Sequence, residues 1–145
     1  AGGIVGFGVA CELAAARVAG YAERVGALRD VLERAVSALG ATIFAAGAKR
    51  LPNTSFFAFA GIEGETLVMA LDAAGFAIAS GAACSSGSAQ ASATLLAMGV
   101  DNDLGRGAVR VSLGKDTTGE QVQMFLQALQ GELARLRGLA AMAAG

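Results

Sequence analysis

Apolar residues recur at helical spacing from the start of the chain to Gly40, with polar residues between them in the later part. Residues 2–19 are rich in Gly and Ala and apolar on most sides, which is typical of a helix that is buried or held between domains. A second, amphipathic helix is predicted from Tyr21, with Gly40 as its C-terminal cap. Its charged residues are expected on a solvated face: Glu23, Arg24, Arg29, Asp30, Glu33 and Arg34.

Three further helices are predicted from the same kind of spacing. Glu63 precedes an apolar repeat that ends at Gly75, and an acidic residue favours the positive end of a helix. A short helix is predicted over residues 94–98. The last helix opens with Thr117-x-x-Glu120, which has the spacing of a capping box, and carries apolar residues on one face.

Strand-like segments lie between these helices. Four are predicted: residues 42–44 at a sheet edge, then residues 55–60, 76–79 and 109–113. The last of them alternates apolar and polar residues, so Arg110 and Ser112 should share the face opposite its apolar side chains. The fold class is therefore α+β, a small sheet packed with helices, in a single domain spanning residues 1–145 without repeat or linker.

Composition narrows the possible partners. Hydrophobic residues make up 54% of the chain and charged residues only 16%, against about 25% in typical soluble domains, so part of the apolar surface is expected to meet another domain or subunit. The net charge is -1 with no basic run, which argues against nucleic acid. There is no His and only two Cys, so neither a metal site nor a disulfide framework is expected.

No membrane or targeting segment is predicted. The apolar opening as far as Cys11 is too short to span a bilayer and lacks a positively charged start, so Cys11 is interpreted as a packed helix residue. A reducing, cytoplasmic setting fits a chain with a reactive thiol.

That thiol belongs to Cys84, which lies in a run of small residues: Ser80-Gly81-Ala82-Ala83-Cys84-Ser85-Ser86-Gly87. Small neighbours leave a sulfur uncrowded and give a loop conformational freedom, as a nucleophilic Cys requires. On composition alone, a flexible turn with a buried structural Cys is the other interpretation. Because the chain has no His, a Cys–His pair cannot activate this thiol.

The same run resembles the active-site cysteine loop of cysteine desulfurases of the nitrogen-fixation and iron–sulfur-cluster type, in the class V aminotransferase group of pyridoxal-phosphate enzymes. Other segments resemble the family in the family's order: Ala1–Gly8, Leu51-Pro52-Asn53-Thr54-Ser55, Gly61–Leu67 and Val109–Lys115. The resemblance covers essentially the whole chain. It implies the small C-terminal domain of a fold-type-I transferase, entered through a long interdomain helix.

The resemblance also implies roles for individual residues. Cys84 would accept sulfur from L-cysteine as a persulfide, with alanine as the other product, and residues Ser80, Gly81, Ala83, Ser85, Ser86 and Gly87 would form its loop. Arg110 matches the arginine that binds the substrate carboxylate, although an ordinary surface ion pair is its other interpretation. Asn53 is interpreted first as a turn residue and second as a substrate-site residue.

The family's cofactor-binding residues have no counterpart here. The chain has two lysines, Lys49 and Lys115, and neither lies in a segment like that of the family's Schiff-base lysine. The resemblance thus implies a chain that begins after the large pyridoxal-phosphate domain and binds no cofactor alone. It would be inactive in isolation; a stand-alone persulfide relay and an inert remnant are the other interpretations.

The resemblance implies partners as well: the large domain, L-cysteine, a sulfur-accepting scaffold protein and a second copy in a homodimer. Related enzymes act on selenocysteine or cysteine sulfinate, and the residues do not distinguish selenium from sulfur.

Overall fold

The computed structural model describes residues 2–81 and 91–143. Cys84 and the other loop residues from Ala82 to Gly87 lie outside these ranges. The elements are α1 (Gly2–Ala38), β1 (Ala41–Ile43), β2 (Thr54–Phe59), α2 (Gly64–Ala73), β3 (Ala79–Ser80), α3 (Ala93–Ala97), α4 (Asn102–Arg106), β4 (Val109–Ser112) and α5 (Gly119–Ala143).

The strands form one antiparallel sheet in the order β1-β2-β4-β3. Three predicted strands appear within a residue or so of their expected positions, and the α+β class is confirmed. The fourth begins later than predicted, at Ala79. The reason is the end of α2, where Gly75 has φ +89° and the Phe76 N–H donates to the Leu71 carbonyl at 2.9 Å. The backbone of Phe76 therefore closes the helix instead of extending the sheet.

The core lies mainly on one face of the sheet, under α1, α2 and α5. Phe57 and Phe59 of β2 project into it, and Leu32 of α1 and Leu129 of α5 cover them. Ala58 projects to the other face, where α3 and α4 cover a smaller cluster. This division follows from strand alternation, because successive side chains point to opposite faces.

The two helical patterns at the start of the chain form one helix, α1, of 37 residues. Its packed residues lie in the second half, whereas residues 2–20 are exposed throughout. Cys11 is exposed, so its interpretation as a packed residue is wrong within this chain. Within the described ranges, α1 is long and apolar enough to cross a membrane, judged by length and composition alone. The apolar segment thus extends beyond Cys11, its predicted end.

Glu33 is buried, and its assignment to a solvated face is wrong. The Arg50 guanidinium donates to both of its carboxylate oxygens, at 2.5 and 2.7 Å, and the Ser55 hydroxyl donates to it at 2.8 Å. Burial by itself raises the pKa of Glu33, but the hydrogen bonds from Arg50 and Ser55 outweigh it and hold the pKa below 4.5, its ordinary value. The burial of Glu33 thus depends on partners in later segments, Arg50 and Ser55. Helical spacing within α1 does not encode these contacts.

The cap of α5 lies one residue beyond its predicted position. Thr118 and Gln121 exchange the reciprocal bonds of a capping box: the Thr118 N–H donates to Gln121 Oε1 at 3.0 Å and the Gln121 N–H donates to Thr118 Oγ1 at 3.2 Å. Thr117 instead accepts from the Gly114 N–H at 2.9 Å and closes the turn after β4. Two adjacent threonines made both registers compatible with the sequence.

Helix α4 was not predicted. Asp101 caps it, accepting from the Asp103 N–H at 2.9 Å and the Leu104 N–H at 3.4 Å. Five residues with a glycine among them give too little apolar repeat to predict a helix.

Candidate functional site

The candidate site lies on the outward face of β4. Val109 and Val111 are buried, while Arg110 and Ser112 are exposed, as the alternation predicts. Arg110 lies opposite Phe56 of β2 and Ala79 of β3, in the middle of the sheet's width. Its backbone is therefore held between two flanking strands, and its side chain projects from the exposed face of the sheet.

An open depression of about 470 Å³ surrounds this arginine. One guanidinium, four hydroxyl groups, an aromatic ring and a glycine line it: Thr54, Phe56, Ser80, Gly81, Ser92, Thr94 and Arg110. A planar guanidinium binds a carboxylate through two parallel hydrogen bonds, and hydroxyl groups can donate to its remaining lone pairs. The depression thus has the donors that a small carboxylate requires.

Gly81 forms one wall of the depression at the end of β3. Its N–H donates to the Ala108 carbonyl at 2.6 Å. A Cβ at this position would lie 2.6 Å from Cε2 of Phe56 and 2.7 Å from the Ala108 Cβ, closer than such atoms approach in proteins. The chain therefore needs a glycine here, at the last described residue before the segment that contains Cys84.

Of the predicted site residues, the structure brings Ser80, Gly81 and Arg110 together. Asn53 lies apart from that lining. Its side-chain Nδ2 donates to the Leu113 carbonyl at 3.3 Å, and its main-chain carbonyl accepts from the Leu113 N–H at 2.8 Å. Asn53 thus joins the beginning of β2 to the end of β4, which is a turn residue's role.

Sequence reasoning identified Ser80 but missed the other three hydroxyl groups of the depression, those of Thr54, Ser92 and Thr94. Thr54 is two residues before Phe56 in β2, so strand alternation could have placed both on the Arg110 face. Ser92 caps α3 by accepting from the Thr94 N–H at 3.2 Å, and a Ser before an apolar repeat is a recognised start signal. Their nearness to β4 depends on tertiary packing, which no local signal gives.

The described lining does not fit a covalently held pyridoxal phosphate. Such a cofactor needs a lysine amine, and the seven described residues around the depression include none. Lys115 lies in the turn after β4, where its amine is paired with Asp116. No group of three or more His, Cys, Asp or Glu that could hold a metal occurs among residues 2–81 and 91–143.

Comparison with known proteins places the chain in a family. The profile of the family described as aminotransferase class-V matches residues 1–125. The chain belongs to the aminotransferase class-V family. This class-V match includes α1 from its beginning, so the apolar, exposed half of that helix lies within the matched domain.

The curated relatives of this class-V chain include cysteine desulfurases. The cysteine desulfurase of Gluconacetobacter diazotrophicus is 40% identical over 137 residues, covering 93% of this chain and 34% of the relative. The cysteine desulfurase NifS of Azotobacter vinelandii is 38% identical over 141 residues, covering 96% of this chain and 35% of the relative. The chain therefore spans about a third of the length of these relatives.

Solved structures agree on the fold. A NifS-like protein superposes with a TM-score of 0.74 at 32% identity, covering 85% of this chain and 30% of that one. A NifS-like protein from Rickettsia africae superposes with a TM-score of 0.77 at 22% identity, over 88% of this chain and 33% of that one. The resemblance inferred from the sequence is thus confirmed at the level of family and fold.

Proposed function

We propose that this chain is the sulfur-accepting part of a cysteine desulfurase. The observation that carries the proposal is the depression around Arg110, whose wall ends at Gly81, three residues before Cys84. A carboxylate-binding group and a thiol would then act on the same small amino acid. Similarity to cysteine desulfurases over more than nine-tenths of the chain supports this assignment.

In the proposed reaction, the Cys84 thiolate attacks the sulfur of L-cysteine. A sulfur–sulfur bond forms, the bond between that sulfur and the substrate's Cβ breaks, and its electron pair remains with the carbon, which takes up a proton to become the methyl group of alanine. Cys84 is left as a persulfide, a reversible modification from which the sulfur can be passed on. Pyridoxal phosphate, held by a larger domain, would supply the electron sink for this cleavage.

Arg110 holds the substrate carboxylate in this proposal. The strands on either side fix its backbone, so the carboxylate would be bound at a defined place on the sheet. Hydroxyl groups of Ser80 and Thr94 provide further donors in the same depression. Asn53, although joined to Leu113, is retained as a secondary candidate near the substrate.

The exposed half of α1 supports the need for a larger domain. Ile4 is 80% exposed and Phe7 is 73% exposed, and a Cβ added at Gly6 would meet nothing within 4 Å. Burying such side chains is worth about 1.5–3 kcal/mol each, so a cofactor-binding domain would gain stability by packing there. The proposal also includes a scaffold protein that takes the sulfur from Cys84. The complete enzyme would be a homodimer in the cytoplasm.

Intact-mass spectrometry tests the proposal. The chain is incubated with L-cysteine and pyridoxal phosphate, alone and with a separately produced cofactor-binding domain from the Azotobacter relative. We expect one added sulfur atom only in the second mixture, mapped to the peptide that contains Cys84 and absent from Cys84→Ala. Because Cys11 is exposed, a Cys11→Ala background excludes its contribution. No sulfur on Cys84 in the complete mixture would refute the proposal, and loading of Cys84 without the added domain would refute the need for it.

A further inference from the structure

Two residues of α1 hold the segment that follows β4. The Arg24 guanidinium donates to the Thr117 carbonyl at 3.0 Å and also to the Lys115 carbonyl. Tyr21 donates its hydroxyl to the Leu113 carbonyl at 3.3 Å, at the long end of the range for such a bond. Tyr21 and Arg24 are three residues apart, so they lie on one face of the helix. The three carbonyl oxygens they reach all belong to the end of β4 and its turn.

These contacts lie where α1 leaves the core. Residues before Tyr21 are exposed, and Val25 begins the packed half. Arg17 and Val18 continue the same side of the helix and, with the turn at Lys115, border an open groove. The end of β4 is therefore attached to α1 at the boundary between the half that packs on this sheet and the half that is exposed.

Arg110 lies three residues before Leu113, about 10 Å along an extended chain. The Leu113 carbonyl that accepts from Tyr21 also accepts from Asn53, and the Leu113 N–H donates to the Asn53 carbonyl. Leu113 thus joins α1 and the beginning of β2 to the end of β4, and a shift of the turn after β4 would displace the strand that carries Arg110. A guanidinium binds a carboxylate through two hydrogen bonds whose geometry must both be good, so a displaced Arg110 would bind the substrate carboxylate more weakly.

We propose that Tyr21 and Arg24 are positioning residues for Arg110. They fix the end of β4 against α1, and thereby fix the guanidinium relative to whatever domain the exposed half of α1 packs on. This inference rests on the proposed function, because it concerns the binding of the substrate carboxylate. Arg24 has the larger part, since its charged side chain makes two bonds to the turn and Tyr21 makes one long bond.

The test uses the chain combined with the cofactor-binding domain, and measures the kinetics of alanine formation. Arg24→Ala is expected to raise the KM for L-cysteine about tenfold and Tyr21→Phe about threefold, with kcat changed less than KM. Arg24→Lys should recover part of the loss, because an ammonium can reach one of the two carbonyls. Arg137→Ala is the matched control: its guanidinium also donates to a main-chain carbonyl, that of Leu39, which lies just before β1, and β2 separates β1 from β4.

A second readout does not depend on activity. In the ¹⁵N-labelled chain alone, Arg24→Ala should shift the amide resonances of Arg110 and Ser112, and Arg137→Ala should leave them in place. An unchanged KM together with unchanged β4 resonances in Arg24→Ala would overturn the inference, as would equal effects of Arg24→Ala and Arg137→Ala. If the wild-type mixture forms no alanine, the proposed function fails, while the resonances still decide whether α1 positions β4.

Discussion

The two halves of α1 differ in what covers them. Residues 21–38 place Val25, Leu32 and Val36 in the core, each with at most 1% of its surface exposed. Residues 2–20 are equally helical and rich in apolar side chains, yet none of them is buried. One half is stabilised by this chain's own sheet, and the other has a surface suited to another domain. Helical periodicity alone therefore does not show whether an apolar helix face is buried by the same chain or left exposed.

The largest expected effect comes from removing a packed side chain in the second half. Leu32→Ala should lower the free energy of unfolding by about 2–5 kcal/mol, because it leaves a cavity among side chains that cannot fully relax. Urea denaturation of the chain measures the loss. Ile4→Ala is the matched change in the first half and should alter stability by less than about 0.5 kcal/mol. Similar losses in both variants would mean that the first half is packed in solution.

The second expected effect concerns the buried charge of the packed half. Glu33→Gln should cost about 3 kcal/mol, since the Arg50 guanidinium would lose its charged partner. Glu23→Gln, on the exposed side of the same helix, is the control and should change stability by less than about 0.5 kcal/mol. The same urea titrations compare the two variants, and equal values would contradict the burial of Glu33.

The pH dependence of stability is a further test of the buried charge of Glu33. The pKa of Glu33 is lower in the folded chain than its ordinary value of 4.5, so ionised Glu33 stabilises the fold fully above that pH. The contribution is lost as pH falls through the folded-state pKa. Stability of the wild-type chain should therefore decline more steeply on acidification than that of Glu33→Gln. Parallel declines would show that another carboxylate controls acid unfolding.

The smallest expected effects are at two glycines, one inside α1 and one just after its end. Gly20→Ala should raise the free energy of unfolding by about 0.5–1 kcal/mol, because a Cβ there meets nothing within 4 Å and alanine favours helix. Gly40→Ala should lower it by about 1 kcal/mol, since Gly40 ends the helix at φ +91°. Thermal melts of the two variants should move in opposite directions. A destabilising Gly20→Ala would indicate a helix that is broken at the boundary.

Local signals in the sequence predicted most of the sheet and the face that carries Arg110. Alternation over Val109–Ser112 was sufficient because β4 is paired on both sides and its two faces differ in burial. Glu33 was misplaced because its partners, Arg50 and Ser55, belong to later segments. The hydroxyl groups of Ser92 and Thr94 were missed for the same reason, because tertiary packing brings them to Arg110.

Cys84 illustrates a different limit. The order of residues around it carried the family resemblance, which the class-V match confirms. Its role as sulfur acceptor stays a prediction, because it lies outside residues 2–81 and 91–143. The sequence thus suggested the chemistry of Cys84, but not the surroundings that would activate its thiol.

The strand order has a consequence for how the chain folds during synthesis. β4 pairs with both β2 and β3, so two of the three strand pairings wait for a segment near residue 110. Until the ribosome has released β4, only the β1–β2 hairpin can form in the described sheet, and Phe57 pairs with Ile43 but lacks Val109 on its other side. A nascent chain at that stage exposes an open strand edge, the kind of surface that chaperones protect. The strand that carries Arg110 is also the one that completes the sheet.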